Sequence, residues 1–155
     1  LPDDHEAIHA YVTVDDEVVA VGRIHLIPAD SKGGGADTAE EGAAHCPDFQ
    51  PLSEQGWCDA QGGSLPDLNS IRPAVQVRQM GTLEGHLRCG YGARVLAAIE
   101  VGAASQWGEC TGFLQARTGA VKFYESQGWV CFGGEYSVEG IGAHHSMWKR
   151  LGGGE

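Results

Sequence analysis

Alternating apolar and polar residues predict two strands near the start of the chain. Residues 8–14 alternate and are rich in β-branched side chains, and residues 17–26 continue the pattern after Asp15 and Asp16. The two segments therefore predict a hairpin turned at the two aspartates. Gly22, inside the second segment, indicates a β-bulge or the close approach of another part of the backbone.

A second set of patterns begins at residue 74. Residues 74–80 alternate strictly and predict a third strand, whereas residues 93–107 predict a helix with Gly108 at its end. The apolar stripe of this helix has spacings of three and four residues and consists of Leu96, Ile99, Ala103 and Trp107.

The remaining elements alternate strand and helix. Residues 110–116 predict a strand, Thr118 is the expected cap of a helix over residues 119–127, and strands follow at 129–132 and 145–149. Gly133-Gly134 is expected to turn the chain between those two strands. Strand–helix–strand units need parallel neighbours and hairpins need antiparallel ones, so the fold class is α/β or α+β with a mixed sheet.

Residues 28–73 interrupt this pattern without a sustained period of their own. Residues 28–72 contain four of the six prolines, eight acidic residues and two glycine runs. They predict a long irregular insertion, with a short helix near residues 36–44. A loop of this length inside a compact domain is either functional or mobile.

Length and charge narrow the class of protein. A chain of 155 residues with 42% apolar and 20% charged residues is one globular domain by these measures. It has no apolar run long enough for a membrane span and no leader-like start. Its net charge is −11, all of it in residues 1–73, and seven basic residues in the neutral second half are too few for a nucleic-acid stripe. The acidic front half favours solubility and could also attract a cationic substrate.

The cysteines and histidines do not indicate a disulfide framework or a metal. Five cysteines make an odd count without a C-x-x-C pair, which fits reduced thiols and a cytoplasmic protein. His45, Cys46 and Cys58 match no zinc spacing and have no evident fourth ligand. We therefore expect no metal site.

The turn before the 93–107 helix is the first candidate site. A glycine-rich turn at a helix start leaves backbone N–H groups unpaired, and the helix dipole adds positive potential there. Such a turn suits an anion, in particular a pyrophosphate, although two glycines can also be a simple tight turn. The turn consists of Arg88, Cys89, Gly90, Tyr91, Gly92 and Ala93.

The segment after this helix resembles the GNAT superfamily of N-acetyltransferases. The matching positions are Ala116-Arg117, Ala120-Val121, Phe123-Tyr124-Glu125 and Gly128-Trp129. Upstream, residues 77–80 resemble the central strand of that family; downstream, Gly140-Ile141, His144 and Met147 resemble the ending of one of its branches. The resemblance covers residues 8–27 and 74–151.

The resemblance implies a mixed sheet that splays open between two central parallel strands, flanked by helices, with acetyl-CoA in the gap. The pantetheine arm would pair with Met80, Gly81 and Thr82, and the pyrophosphate would lie on residues 88–93. Gly119 stands where the family often has an asparagine that holds pantetheine. Tyr124 would protonate the departing thiolate, or it is only a packed aromatic; His144 would act as a base or acceptor-site residue, or it only holds a strand end.

Besides Gly119, further features depart from the family pattern. Leu87 stands at the usual basic position of the loop, with Arg88 one residue later. The family's first strand and two helices would precede residue 8, where the chain has no room for them. The acceptor pocket would then be missing, or it would come from residues 28–73, a partner subunit or sequence beyond this chain.

The resulting hypothesis is a single domain of residues 1–155, with a hairpin over 8–27, an insertion over 28–73 and an acyl-CoA-binding core over 74–151. It would acetylate an amine by direct transfer from acetyl-CoA. The expected acceptor is a small molecule or, given the acidic front half, a polycation. The alternatives are an inactive acyl-CoA-binding module and an unrelated α/β fold. Exposed sheet edges would also allow a homodimer.

Overall fold

The computed structural model describes residues 7–28, 71–138 and 142–152. The strands are β1 (Ala7–Val14), β2 (Glu17–Ile27), β3 (Ala74–Thr82), β4 (Cys110–Arg117), β5 (Val130–Val138) and β6 (Gly142–Leu151), and the helices are α1 (Tyr91–Trp107) and α2 (Val121–Ser126). Their order along the chain is the predicted one. The short helix expected near residues 36–44 lies outside the described residues, as does most of the 28–73 insertion.

The six described strands form one mixed sheet in the order β1-β2-β3-β4-β6-β5. Strands β3 and β4 are parallel, and every other neighbouring pair among these strands is antiparallel. This arrangement confirms the predicted mixed sheet and the hairpin of β1 and β2.

The parallel pair at the centre of the sheet separates soon after it begins. Residues Ala74–Gln76 pair with Thr111–Phe113, but β3 continues to Thr82 and β4 to Arg117 without further pairing between them. The sheet is therefore open between the carboxyl ends of β3 and β4. We call this opening the splay; it is the gap that the resemblance implies.

A bulge in β3 lies beside the splay. Val21 pairs with Gly81 and Arg23 with Arg78, so two residues of β3, one of them Gln79 with φ +58°, lie opposite Gly22. A Cβ at Gly22 would collide with the Met80 sulfur and would lie 2.6 Å from Cγ1 of Val95. The bulge predicted at Gly22 is thus confirmed, whereas the close neighbours of Gly22 are side chains rather than backbone.

The core lies between α1 and the sheet. Leu96, Ile99 and Ala103 of the predicted stripe are fully buried, whereas Trp107 is half-buried at the helix end. Burying one such aliphatic side chain contributes about 1.5–3 kcal/mol. A smaller cluster on the other sheet face contains Ile27, Ile71, Ala74, Phe113 and Phe132. Among the described residues, no helix has the length and apolar character to cross a membrane.

Several predicted boundaries were wrong. Helix α1 begins at Tyr91, two residues early, because Gly90 adopts the left-handed conformation (φ +80°) that starts the helix there. Thr118 does not cap α2: it begins a 3₁₀ turn that ends at Ala120, and its hydroxyl donates instead to Glu135 at 3.0 Å.

The prediction of a turn at Gly133-Gly134 was also wrong. These glycines lie inside β5, where the register against β6 shifts between Phe132 and Tyr136 and Gly133 has φ +72°. Glycine here allows an irregularity within a strand rather than its end.

Candidate active site

A cavity of about 600 Å³ lies between the end of β3, the start of α1 and one face of α2. We call it the first cavity. Of the residues that the sequence assigned to acyl-CoA, nine line it: Met80, Gly81, Thr82, Arg88, Gly90, Tyr91, Gly92, Ala93 and Tyr124. Cys89 and Gly119 do not; Cys89 is exposed, and its thiol donates to the Leu87 carbonyl at 3.6 Å.

The start of α1 gives this cavity an anion-binding end. Gly90 is the N-cap, no side chain caps the helix, and its first turn contains no acidic residue. The first intrahelical bond runs from the Arg94 N–H to the Gly90 carbonyl at 3.1 Å, so the N–H groups of residues 91–93 have no partner within the helix. The positive end of the helix dipole and the Arg88 side chain therefore favour a negatively charged ligand here.

Helix α2 and the turn before it form the opposite wall. Four residues of this segment line the first cavity: Ala120, Phe123, Tyr124 and Gln127. The last three follow Ala120 by three, four and seven positions, so all four lie on one helical face. Of these residues, only Tyr124 was expected to have a role, although their spacing of three and four residues is a signal that the sequence contains. His86 and Leu87 also line the cavity, from the turn before α1; His86 was not expected there, and Leu87 was expected only as a departure from the family's loop.

A second cavity of about 460 Å³ lies in the splay between β3 and β4. Its lining comes from residues 77–80 of β3, residues 114–117 of β4, Ala120, Tyr124 and His144. Met80, Ala120 and Tyr124 line both cavities. The two cavities thus meet at these three residues.

Tyr124 is a buried tyrosine at this junction. It is 9% exposed, and its ring packs edge-on against Phe123 and Trp129 with centroids 5.0 and 6.4 Å away. Burial raises the pKa of the Tyr124 hydroxyl above its usual value. The hydroxyl therefore keeps its proton throughout the neutral range and is available as a donor.

His144 faces the second cavity. It is 8% exposed, stacks on Tyr136 with ring centroids 5.8 Å apart, and its Nδ1 lies 2.9 Å from the Gly142 carbonyl oxygen. A carbonyl only accepts, so Nδ1 must carry the proton and the neutral ring has its lone pair on Nε2. The neighbouring His145 instead forms a contact of 3.5 Å with Glu135.

A partly buried ion pair fixes α2 against α1 and β6. The Lys149 ammonium donates to Glu100 Oε1 at 2.6 Å and to the Gln127 carbonyl at 2.7 Å, while the Trp129 indole donates to Glu100 Oε2 at 3.0 Å. One donor from β6 and one from the turn between α2 and β5 thus converge on the Glu100 carboxylate of α1. This arrangement holds the end of α2, and with it Tyr124, in place.

Comparison with known proteins gives results only at the level of structure. No protein-family model matches the chain, and no curated protein matches its sequence. Solved structures do match, and three of them illustrate the likeness.

An acyl-CoA N-acyltransferase from Pseudomonas aeruginosa has a TM-score of 0.58 and 14% identity, over 92% of this chain and 68% of its own. Arabidopsis thaliana Naa50, in complex with the bisubstrate analogue CoA-Ac-MVNAL, has a TM-score of 0.53 and 14% identity over 91% and 71%. An aminoglycoside 6'-N-acetyltransferase complexed with coenzyme A has a TM-score of 0.53 and 14% identity over 94% and 73%. At these identities the likeness establishes the fold alone.

Proposed function

We propose that this chain, which has the fold of the GNAT N-acetyltransferases, moves an acetyl group from acetyl-CoA to an amine. The observation that carries the proposal is the position of Tyr124, which lines both cavities where they meet. A thioester held in the first cavity and an amine held in the second would meet beside this hydroxyl.

The first cavity would hold acetyl-CoA. Its pyrophosphate would accept hydrogen bonds from the free N–H groups at the start of α1, with Arg88 adding positive charge. The pantetheine amides would pair with β3 at Met80, Gly81 and Thr82, where β4 has already diverged. Phe123 and Ala120 would cover the apolar part of the arm.

The second cavity would hold the amine, whose nitrogen must lose a proton to attack. At a reference pKa of about 10.4, only about 1 in 2,500 lysine-like amines is neutral at pH 7. His144 is the candidate base, because Nδ1 faces the Gly142 carbonyl and Nε2 carries the lone pair.

Transfer would proceed by direct attack of the amine nitrogen on the thioester carbonyl. The backbone N–H of Met80, at the bulge, is the candidate donor to the developing oxyanion. The C–S bond then breaks, and the Tyr124 hydroxyl gives its proton to the thiolate. The amine proton passes to His144 and on to solvent, and Tyr124 regains a proton from solvent, which restores both groups for the next turnover. The products are an amide and free CoA.

Calorimetric titration of the purified chain with acetyl-CoA, with desulfo-CoA as a control, tests the first half of this proposal. We expect micromolar binding, equivalent to about −8 kcal/mol. Release of free thiol on addition of an amine panel tests the second half. Binding without thiol release would identify an acyl-CoA-binding module, and a folded protein that does not bind would refute both.

A further inference from the structure

Alternation along the strands separates the two faces of the splay. Val77, Leu114 and Ala116 belong to the core cluster under α1. Their neighbours Arg78, Gln115 and Arg117 therefore point to the other sheet face. His144 pairs with Arg117 across β4 and β6 and shares that face.

Two arginine side chains line the second cavity on this face. Arg78 and Arg117 both line it, and its described lining residues include no aspartate or glutamate. Arg78 is 8% exposed, and Arg23, which is 1% exposed, pairs with it across β2 and β3.

These two arginines favour one class of acceptor over another. The acidic front half of the sequence suggested a cationic acceptor, but a polycation entering the second cavity would meet two guanidinium groups. An amine with an anionic group would instead place that group on an arginine. Guanidinium groups bind carboxylate and phosphate through paired hydrogen bonds, which also fixes the orientation of the ligand.

We propose that the acceptor is an amine that also carries a carboxylate or phosphate, and that Arg117, assisted by Arg78, binds this anion. The inference rests on the proposed function and names the substrate class of its site. Arg117 lies at the exposed mouth of the cavity and Arg78 deeper inside. An anion held there would direct the amine towards the junction at Tyr124 and His144.

Matched acceptors test this proposal, with kcat/KM measured as thiol release. L-Leucine and L-leucinamide differ by one carboxylate, phosphoethanolamine and ethanolamine differ by one phosphate, and spermidine represents a polycation. We expect at least one anionic amine to exceed its neutral partner by about tenfold or more, as one charged hydrogen bond implies. The amine of leucinamide has a lower pKa than that of leucine, so a larger fraction of it is unprotonated and able to attack at neutral pH. A preference for leucine therefore cannot come from the protonation state of the amine.

Variants locate the effect. Arg117→Gln should lower the ratio of anionic to neutral acceptor about tenfold, chiefly through KM, and Arg117→Lys should recover part of it. Lys122→Gln is the control, because Lys122 is exposed on α2 and lines neither cavity. A preference for spermidine or the neutral amines, or an unchanged ratio in Arg117→Gln, would overturn the inference while leaving acetyl transfer intact.

A binding measurement decides the matter even without turnover. We expect N-acetyl-leucine to bind the CoA-loaded protein more tightly than N-acetyl-leucinamide, and Arg117→Gln to remove the difference. Equal binding of the two would refute the anion site. Absence of thiol release from every acceptor, by contrast, would refute the proposed transfer.

Discussion

Replacing Tyr124 by phenylalanine removes one buried hydroxyl and leaves the ring in place. The packing of the ring against Phe123 and Trp129 is retained, so the fold should be unaffected. Tyr124 lines both cavities where they meet, and burial raises the pKa of its hydroxyl, so the hydroxyl keeps its proton at neutral pH. The change therefore isolates its contribution to departure of the thiolate.

The size of the effect follows from the bond that is lost. A hydrogen bond to a charged group contributes about 1.5–3 kcal/mol. At 1.36 kcal/mol for each factor of ten, Tyr124→Phe should lower kcat about 10-fold to 150-fold. The affinity for acetyl-CoA should change by less than about twofold, because the hydroxyl acts on the sulfur only as negative charge develops there.

The assay is release of CoA thiol at saturating acetyl-CoA, together with calorimetric binding. Tyr11→Phe is the matched control, since Tyr11 is 66% exposed on the edge strand and lines neither cavity. Full activity in Tyr124→Phe would remove this hydroxyl from the mechanism. A parallel loss of binding and turnover would make it a binding residue instead.

Four further outcomes are expected. His144→Gln should lower turnover about 100-fold without weakening acetyl-CoA binding, and equal turnover would exclude His144 as the base. Gly92→Ala should weaken acetyl-CoA binding yet shift the unfolding midpoint by no more than about 3 °C, since a Cβ there meets nothing closer than 3.6 Å. Glu100→Ala should cost about 2 kcal/mol, or about 4–8 °C in thermal unfolding, because it removes the acceptor of the Lys149 and Trp129 donors; a smaller shift would mean that water replaces the carboxylate. In a tyrosinate absorbance titration, Tyr124→Phe should remove a component whose pKa lies above that of free tyrosine, because burial raises the pKa of Tyr124. The stability of the unsubstituted protein should fall above about pH 10, where the unfolded chain releases a proton that folded Tyr124 retains.

Much of the fold was readable from the sequence because its elements are locally patterned. The strict alternation of residues 74–80 and the stripe of Leu96, Ile99 and Ala103 each depend on neighbours along the chain, and both were predicted correctly. The cap at Thr118 was wrong because its hydroxyl bonds to Glu135, which is 17 residues away. Gly133 and Gly134 were likewise predicted as a turn, because the strand that contains them forms only by pairing with β6. In the structure they form an irregularity within β5.

The first cavity could largely be predicted from the sequence, whereas the second could not. The glycine turn before α1 is contiguous in sequence, so most of its cavity-lining residues could be proposed directly. Arg78 and Arg117 are 39 positions apart and lie on separate strands. They line the same cavity only because β3 and β4 diverge and leave the splay between them. Nothing in either local pattern indicated that both would face one cavity.

The early separation of β3 and β4 also bears on how the protein unfolds. Strands β1, β2 and β3 form one three-stranded leaf and β4, β6 and β5 another, joined through only three residue pairs of the sheet. Helix α1 packs mainly on the first leaf and is tied to the second through Glu100 and Lys149. We therefore expect the leaves to open as separate cooperative units. Amide exchange should be faster for the N–H groups of residues 77–82 that face the splay than for those of the same segment that pair with β2. A ligand that hydrogen-bonds to β3 inside the splay would act as the missing strand between them, and at 100 times its Kd it would add about 2.7 kcal/mol to the stability of the whole sheet.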